Sequence, residues 1–377
     1  MKKLMIVLLV LCVGCGIQKK NEPPYPNEKN EPLYPSDWQD NGIFKSYYDK
    51  SYQTLETMSL EEKIGQILLV RLPSEDVIKT ISEYHFGGII LFAKDFENKT
   101  KEEVQTELKE YQQASNIPML IATDEEGGSV IRISKNSNLY PEPFLSPREI
   151  YETSGMDGII RDTKEKITLF KELGLNLNLS PVVDLSDDPN DFIYKRSFSG
   201  DVNRTSEYTQ KVVSLYQKEK IGSALKHFPG YGDNKDTHTG IAIDNRNYNQ
   251  FLNYDFLPFK AGIEVGAPSI LVSHNIVNAI DKTNPASLSI NIHRILRNEL
   301  KFTGVIMTDD LSMGAISSIE SSVIKAFQAG NDILIVTNYQ EAYNSLLNAI
   351  KTEEISIDDL NHAVFRILSW KQQLQLM

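Results

Sequence analysis

The chain has 377 residues, with 39 Lys and Arg against 51 Asp and Glu for a net charge of −12, and 41% hydrophobic, 24% charged and 9% aromatic residues. This is the composition of a folded chain able to bury a large core, and it excludes a disordered or fibrous protein. The acidic balance, with no sustained Lys/Arg run, offers a phosphate backbone nothing to neutralise, so nucleic acid is not an expected partner.

In chain order, Met1-Lys2-Lys3 precedes a ten-residue apolar run at 4–13. That is the length of a signal-peptide core and too short to span a bilayer, so residues 1–14 are expected to direct export. The run ends Val13-Gly14-Cys15-Gly16. A small residue directly before a Cys resembles the cleavage box of bacterial lipoproteins. Cys15 is then expected to become the lipidated first residue, anchoring the protein to the outward face of the cell membrane. Cys12 departs from the usual Leu of that box, and an ordinary cleaved signal with an incidental Cys is the alternative. Both cysteines of the chain lie here, which leaves no disulfide framework. The stretch 21–37 repeats NEPxYP and holds five prolines. It favours extended polyproline II and reads as a tether, so residues 15–50 are assigned to a lipidated, proline-rich arm and 51–377 to one catalytic domain.

From about Tyr52 short β-branched apolar runs alternate with longer segments of helical period, the pattern of a parallel sheet. The expected strands are 66–70, 88–92, 118–123, 175–181, 222–226, 269–273, 304–308 and 332–336. Helices are expected at 101–115, 162–173, 206–220 and 318–329, and Ser59-Leu-Glu-Glu62 is a capping box that starts a helix flanking the barrel bottom. Eight strands with intervening helices predict a (β/α)8 TIM-type barrel. A doubly wound open sheet is the alternative, but no GxGxxG follows the first strand. Trp38, Tyr47 and Tyr48 precede the barrel and read as packing or linker residues, and Trp370 as core with Phe365 and Leu368.

Barrel active sites form where strands end and their following loops begin. In order, those ends carry Asp124, Asp184, Lys226-His227, Ser273-His274, Asp309-Asp310 and Thr337-Asn338, more polarity than loops alone require, and they read as a ring around a polar ligand. After the fifth strand, Pro229, Gly230, Gly232 and Gly240 make a long loop in which Asp236 and His238 stand two residues apart. An Asp beside a His orients the imidazole and supports its charged form for acid–base work. After the seventh strand, Asp309 is expected to point into the pocket as a nucleophile, with Asp310 free to cap the next helix. Asp233 and Asp244 read as solvated, and His274 as either pocket lining or support.

The motifs KHFPGYGDNKDTH and TDDLSM, with MSLEEKIGQILLV, ATDEEGGSVIR and KRSFS upstream, resemble the β-N-acetylglucosaminidases of glycoside hydrolase family 3 that act on peptidoglycan fragments. The resemblance runs from about Leu55 to the C-terminus. It implies a retaining glycosidase in which Asp309 attacks the anomeric carbon and His238, backed by Asp236, serves as acid and then base, a departure from the two-carboxylate scheme. It also implies that Asp124, Arg132, Arg196, Lys226 and His227 hold the sugar. Carboxylates and cations can grip diols and an acetamide without a metal, and no HExxH or HxH spacing is present, so neither metal nor cofactor is expected. Tyr231 stands where the family usually has a second His, and altered loop packing or leaving-group contact is expected there.

The expected activity is removal of terminal β-linked GlcNAc from an amino-sugar substrate, a muropeptide or chitooligosaccharide, by a monomer that touches the membrane only through its lipid. A phosphorylase using the same dyad is an alternative, because a neutral His does not repel phosphate. A non-catalytic sugar-binding lipoprotein is another, though it has no need of Asp309 together with Asp236 and His238.

Overall fold

The computed structural model describes residues 34, 35, 38, 40–234 and 240–377. The export signal, Cys15, most of the proline-rich arm, and the loop residues Asp236 and His238 lie outside the described residues.

Eight parallel strands form the barrel: β1 Leu68–Arg71, β2 Gly88–Leu91, β3 Leu120–Thr123, β4 Leu177–Asn178, β5 Gly222–Phe228, β6 Ser269–Val272, β7 Val305–Thr308 and β8 Leu334–Val336. Their hydrogen-bonded order is β8-β1-β2-β3-β4-β5-β6-β7. A parallel bridge between Met307 and Ile333 closes the ring, supported by the Asp332 N–H donating to the Ile306 carbonyl at 2.7 Å. Gly88-Ile-Ile-Leu91 is buried at all four positions, because helices cover the outer face while side chains fill the inside; this is why the strands read as unbroken apolar runs.

All eight expected strands are present, with shifted ends. Gln66 closes the preceding helix Leu60–Gln66, its side-chain amide donating to the His85 carbonyl at 2.8 Å. β5 runs on to Phe228, so Lys226 and His227 lie within the strand. The Ser59–Glu62 capping box forms as expected. The helix expected at 162–173 begins far earlier, at Pro147, where Ser146 and Glu149 form a second capping box; the helix kinks at Gly155. The helix expected from 318 begins at Ser322.

The packed unit spans Leu33–Met377 and so takes in residues assigned to the arm. Aromatic burial is the reason. Trp38 stacks on His362 with ring centroids 5.0 Å apart, and Tyr48 lies 4.9 Å from Phe365, both on the C-terminal helix Ile357–Gln373. That helix buries Trp370 completely.

It also buries Lys371, whose ammonium donates to the Gln66 Oε1 at 2.6 Å. Burial pushes its pKa from 10.5 down to about 7. An unfolded lysine keeps its proton to the higher value, so between those limits the unfolded state binds more protons and stability rises with pH. Denaturant titrations from pH 7 to 10 should show a gain of up to about 4 kcal/mol attributable to this group. The gain should be absent in Lys371→Met; an unchanged pH slope in that variant would show the lysine to be charged in the fold.

Candidate active site

The C-terminal ends of the strands surround a cavity of about 800 Å³. Consecutive acidic residues after β3 divide the labour there. Glu125 turns inward beneath the loop, accepting backbone N–H groups of Arg132 at 2.8 Å and Ile133 at 2.6 Å. Folding 125–134 in this way aims Arg132 at the cavity. Asp124 and Glu126 face the cavity itself.

Lys226 Nζ donates to Asp124 Oδ1 at 2.6 Å and lies 2.6 Å from Glu126 Oε1. Arg196 grips Glu126 through two bonds, Nε to Oε2 at 2.9 Å and Nη2 to Oε1 at 2.7 Å, the planar fork that favours Arg over Lys. Burial alone would raise the Glu126 pKa, but Arg196 and Lys226 overcome it and hold the carboxyl far below its ordinary value. Burial likewise works against the charge on Lys226, and Asp124 and Glu126 outweigh it, so the ammonium persists.

His227 is fixed at both ring nitrogens. Nη2 of Arg196 lies 3.0 Å from its Nε2, and Asp184 Oδ2 lies 2.7 Å from its Nδ1. A guanidinium only donates, so Nε2 accepts and Nδ1 carries the hydrogen that Asp184 receives. Asp184 also accepts the backbone N–H groups of His227 at 3.0 Å and Tyr231 at 2.7 Å, which ties the cavity-lining imidazole to the root of the loop after β5.

Asp309 faces this group from the end of β7. Its backbone N–H continues the sheet by donating to the Val272 carbonyl at 2.9 Å, and its Oδ1 accepts the Asp310 N–H at 2.9 Å. Burial would raise its pKa; positive charge at His274, the Asp310 N–H and the Lys226 ammonium overcome this and hold the carboxyl below its ordinary value. A buried ionised carboxylate opposite a hydrogen-bonding wall is what attack on a sugar carbon requires.

Asp124, Arg132, Arg196, Lys226, His227 and Asp309 thus share one cavity. The ring read from the strand ends is otherwise more selective. Asp310 lines the cavity but caps no helix: it accepts the Ser312 N–H at 2.9 Å and the Thr337 hydroxyl at 3.2 Å. Asn338 caps the helix Tyr339–Lys351. His274 is fully buried behind Asp310, with Nε2 3.0 Å from its carbonyl and Nδ1 2.7 Å from the Ser287 hydroxyl.

Tyr231 is buried, 2% exposed, with its ring 5.4 Å from Phe192 and 5.5 Å from His227. Asp244, read as solvated, is buried instead. Arg246 bonds its carboxylate at 2.7 Å, that of Asp255 at 2.8 Å and the Gly230 carbonyl at 3.0 Å, which joins both ends of the loop in one ionic cluster. Burial pushes Asp255 up to about 6 despite Arg246. Gly232 is required here: at φ +58 a Cβ would lie 2.5 Å from the Arg246 guanidinium carbon.

Glu126 and Asp255 escaped the sequence reading. Glu126 carried a usable signal, a third consecutive acid before two glycines, whereas Asp255 sits in an apolar stretch with nothing to mark it.

Residues 59–370 match the N-terminal domain of glycosyl hydrolase family 3. The chain belongs to that family. It is 31% identical over 340 residues to a β-hexosaminidase A of Pseudoalteromonas piscicida, covering 81% of this chain and 56% of that protein. A β-hexosaminidase of Nitrosomonas eutropha is 32% identical over 280 residues, covering 72% of this chain and 79% of the relative. Among solved structures, a family 3 β-N-acetylglucosaminidase from Paenibacillus sp. str. FPU-7 superposes with a TM-score of 0.79 at 27% identity, covering 85% of this chain and 63% of the other. The chain therefore spans somewhat over half the length of two of these proteins.

Proposed function

We propose that this family 3 chain is a retaining exo-β-N-acetylhexosaminidase that removes terminal β-linked GlcNAc, with GlcNAc–MurNAc peptidoglycan fragments as its natural substrates. The observation that carries the reading is the ionised Asp309 facing the Lys226–Asp124 and Arg196–Glu126 pairs across one polar cavity. The hexosaminidase relatives support the amino-sugar specificity. Asp309 attacks the anomeric carbon as the glycosidic bond breaks, and His238, oriented by Asp236, protonates the departing oxygen. In the second half His238 takes a proton from water as that water displaces Asp309, so the β configuration is retained. Export and a lipid on Cys15 place the reaction outside the cell.

Release of nitrophenol from its β-GlcNAc glycoside by the full-length protein, at a rate that phosphate does not stimulate, is the expected result. Strong stimulation by phosphate would move the protein to the phosphorylase reading. A folded protein inert on this glycoside and on the β-glucoside would leave sugar binding alone.

A further inference from the structure

The β1–β2 side of the cavity carries Arg71, whose charge has no ion-pair partner among the described residues, beside Arg132, which shares Asp124 with Lys226. Arg71, the last residue of β1, lays its guanidinium on the Phe92 ring, 4.5 Å from the centroid. Arg132 approaches the same ring at 5.5 Å. All three line the cavity that holds Asp309. Among the described residues Arg71 has no hydrogen bond or ion pair, only this ring. Arg132 reaches Asp124 at 3.8 Å, beyond hydrogen-bond length, and its Nε is buried with no hydrogen-bond partner among the described residues.

Apart from Asp309, the carboxylates lining the cavity are engaged elsewhere, Asp310 by the Ser312 N–H and the Thr337 hydroxyl. Asp124 and Glu126 are held by Lys226 at 2.6 Å each, and Asp191 accepts the Ser186 hydroxyl at 2.6 Å. In the ring of strands β1 stands opposite β5, so a sugar gripped by Lys226 and His227 presents its other edge to Arg71. A guanidinium resting on an aromatic face keeps its edge N–H groups directed outward for a planar or tetrahedral anion.

We propose that Arg71 and Arg132, fixed on Phe92, form an anion-binding subsite inside the catalytic cavity, and that the preferred substrate bears a carboxylate or phosphate monoester. This rests on the glycosidase reading. It carries a consequence for wall fragments: a free lactyl carboxylate is accepted, whereas the same group amidated by a peptide stem has lost its charge.

Two pairs of substrates test it on the full-length protein in detergent. One is GlcNAc-β-1,4-MurNAc against neutral diacetylchitobiose; the other is 6-phosphorylated against unmodified nitrophenyl β-GlcNAc. At least one pair should favour the acidic member by about 10-fold in kcat/KM, falling as salt is added, and Arg71→Met should bring that ratio to within about twofold of one. The pair that responds shows whether the anion rides on the leaving sugar or on the sugar that is transferred. Ratios near one for both pairs, or a preference that Arg71→Met leaves intact, overturn the subsite while the neutral rates leave the glycosidase reading standing. Failure of every substrate, the neutral ones included, overturns both. Should Arg71→Met not fold, lactate and phosphate ions are titrated against nitrophenyl β-GlcNAc turnover by the unaltered protein; competitive inhibition is expected, and its absence overturns the subsite.

Discussion

Asp309→Ala is expected to lower kcat/KM on nitrophenyl β-GlcNAc by on the order of 10⁴-fold, the scale seen when a covalent nucleophile is removed. The fold should survive, because the backbone N–H of residue 309 still donates to Val272 and, among the described residues, the side chain loses only its hydrogen bond from the Asp310 N–H. Azide added to the variant should restore turnover by entering the space left behind and attacking from that face, giving the α-azide. Retained activity above about 1% of the original, or rescue with a β product, would remove Asp309 from the nucleophile's role. Because its neighbours hold the Asp309 carboxyl below the ordinary 3.8, this carboxylate stays ionised through the neutral range. The acid limb of the rate profile should therefore not report Asp309.

Glu126→Gln is expected to be the most destabilising single change at the site, by about 3–5 kcal/mol in denaturant unfolding, because it leaves Arg196 and Lys226 buried with one carboxylate between them. Glu126 is 4% exposed, so water cannot readily replace the lost charge. The pH dependence has a fixed sign. The folded pKa lies below the ordinary 4.5, so the stability Glu126 contributes is fully present above about pH 4.5 and is lost as pH falls toward the folded value. The gap between the original protein and Glu126→Gln should accordingly narrow below that pH. A gap under about 1 kcal/mol at neutral pH would mean that Arg196 and Lys226 find other partners.

The two expectations exploit different legibility in the chain. Asp309 announces itself in one dimension: a buried apolar strand, 304–308, stops abruptly at two acids, and a parallel strand in a barrel can direct its last side chains only to the mouth. Lys226, His227 and Asp124 were legible on the same grounds, and the eight strands followed from apolar runs at regular spacing. Strand ends were less so. Whether Gln66 closes a helix or opens a strand depends on the His85 carbonyl 19 residues away.

What only the tertiary structure decided is the pairing of charges across the barrel. Glu126 and Arg196 are 70 residues apart, and Asp124 and Lys226 are 102 apart; no local period links them, and their partnership exists because the sheet brings the end of β3, the loop after β4 and the end of β5 to one cavity. Asp244 looked like an ordinary surface acid for the same reason, since the burial that makes it structural comes from Arg246 and Asp255 folding back on Gly230. The idle state of Arg71 is also a tertiary fact: a sequence shows that an arginine ends a strand, but only packing shows that its neighbours' carboxylates are already bonded to something else. Local composition and period determined the barrel and the residue types at its mouth. The distribution of charge among those residues was decided by three-dimensional proximity, because Coulomb and hydrogen-bond energies depend on distances through space that sequence separation does not contain.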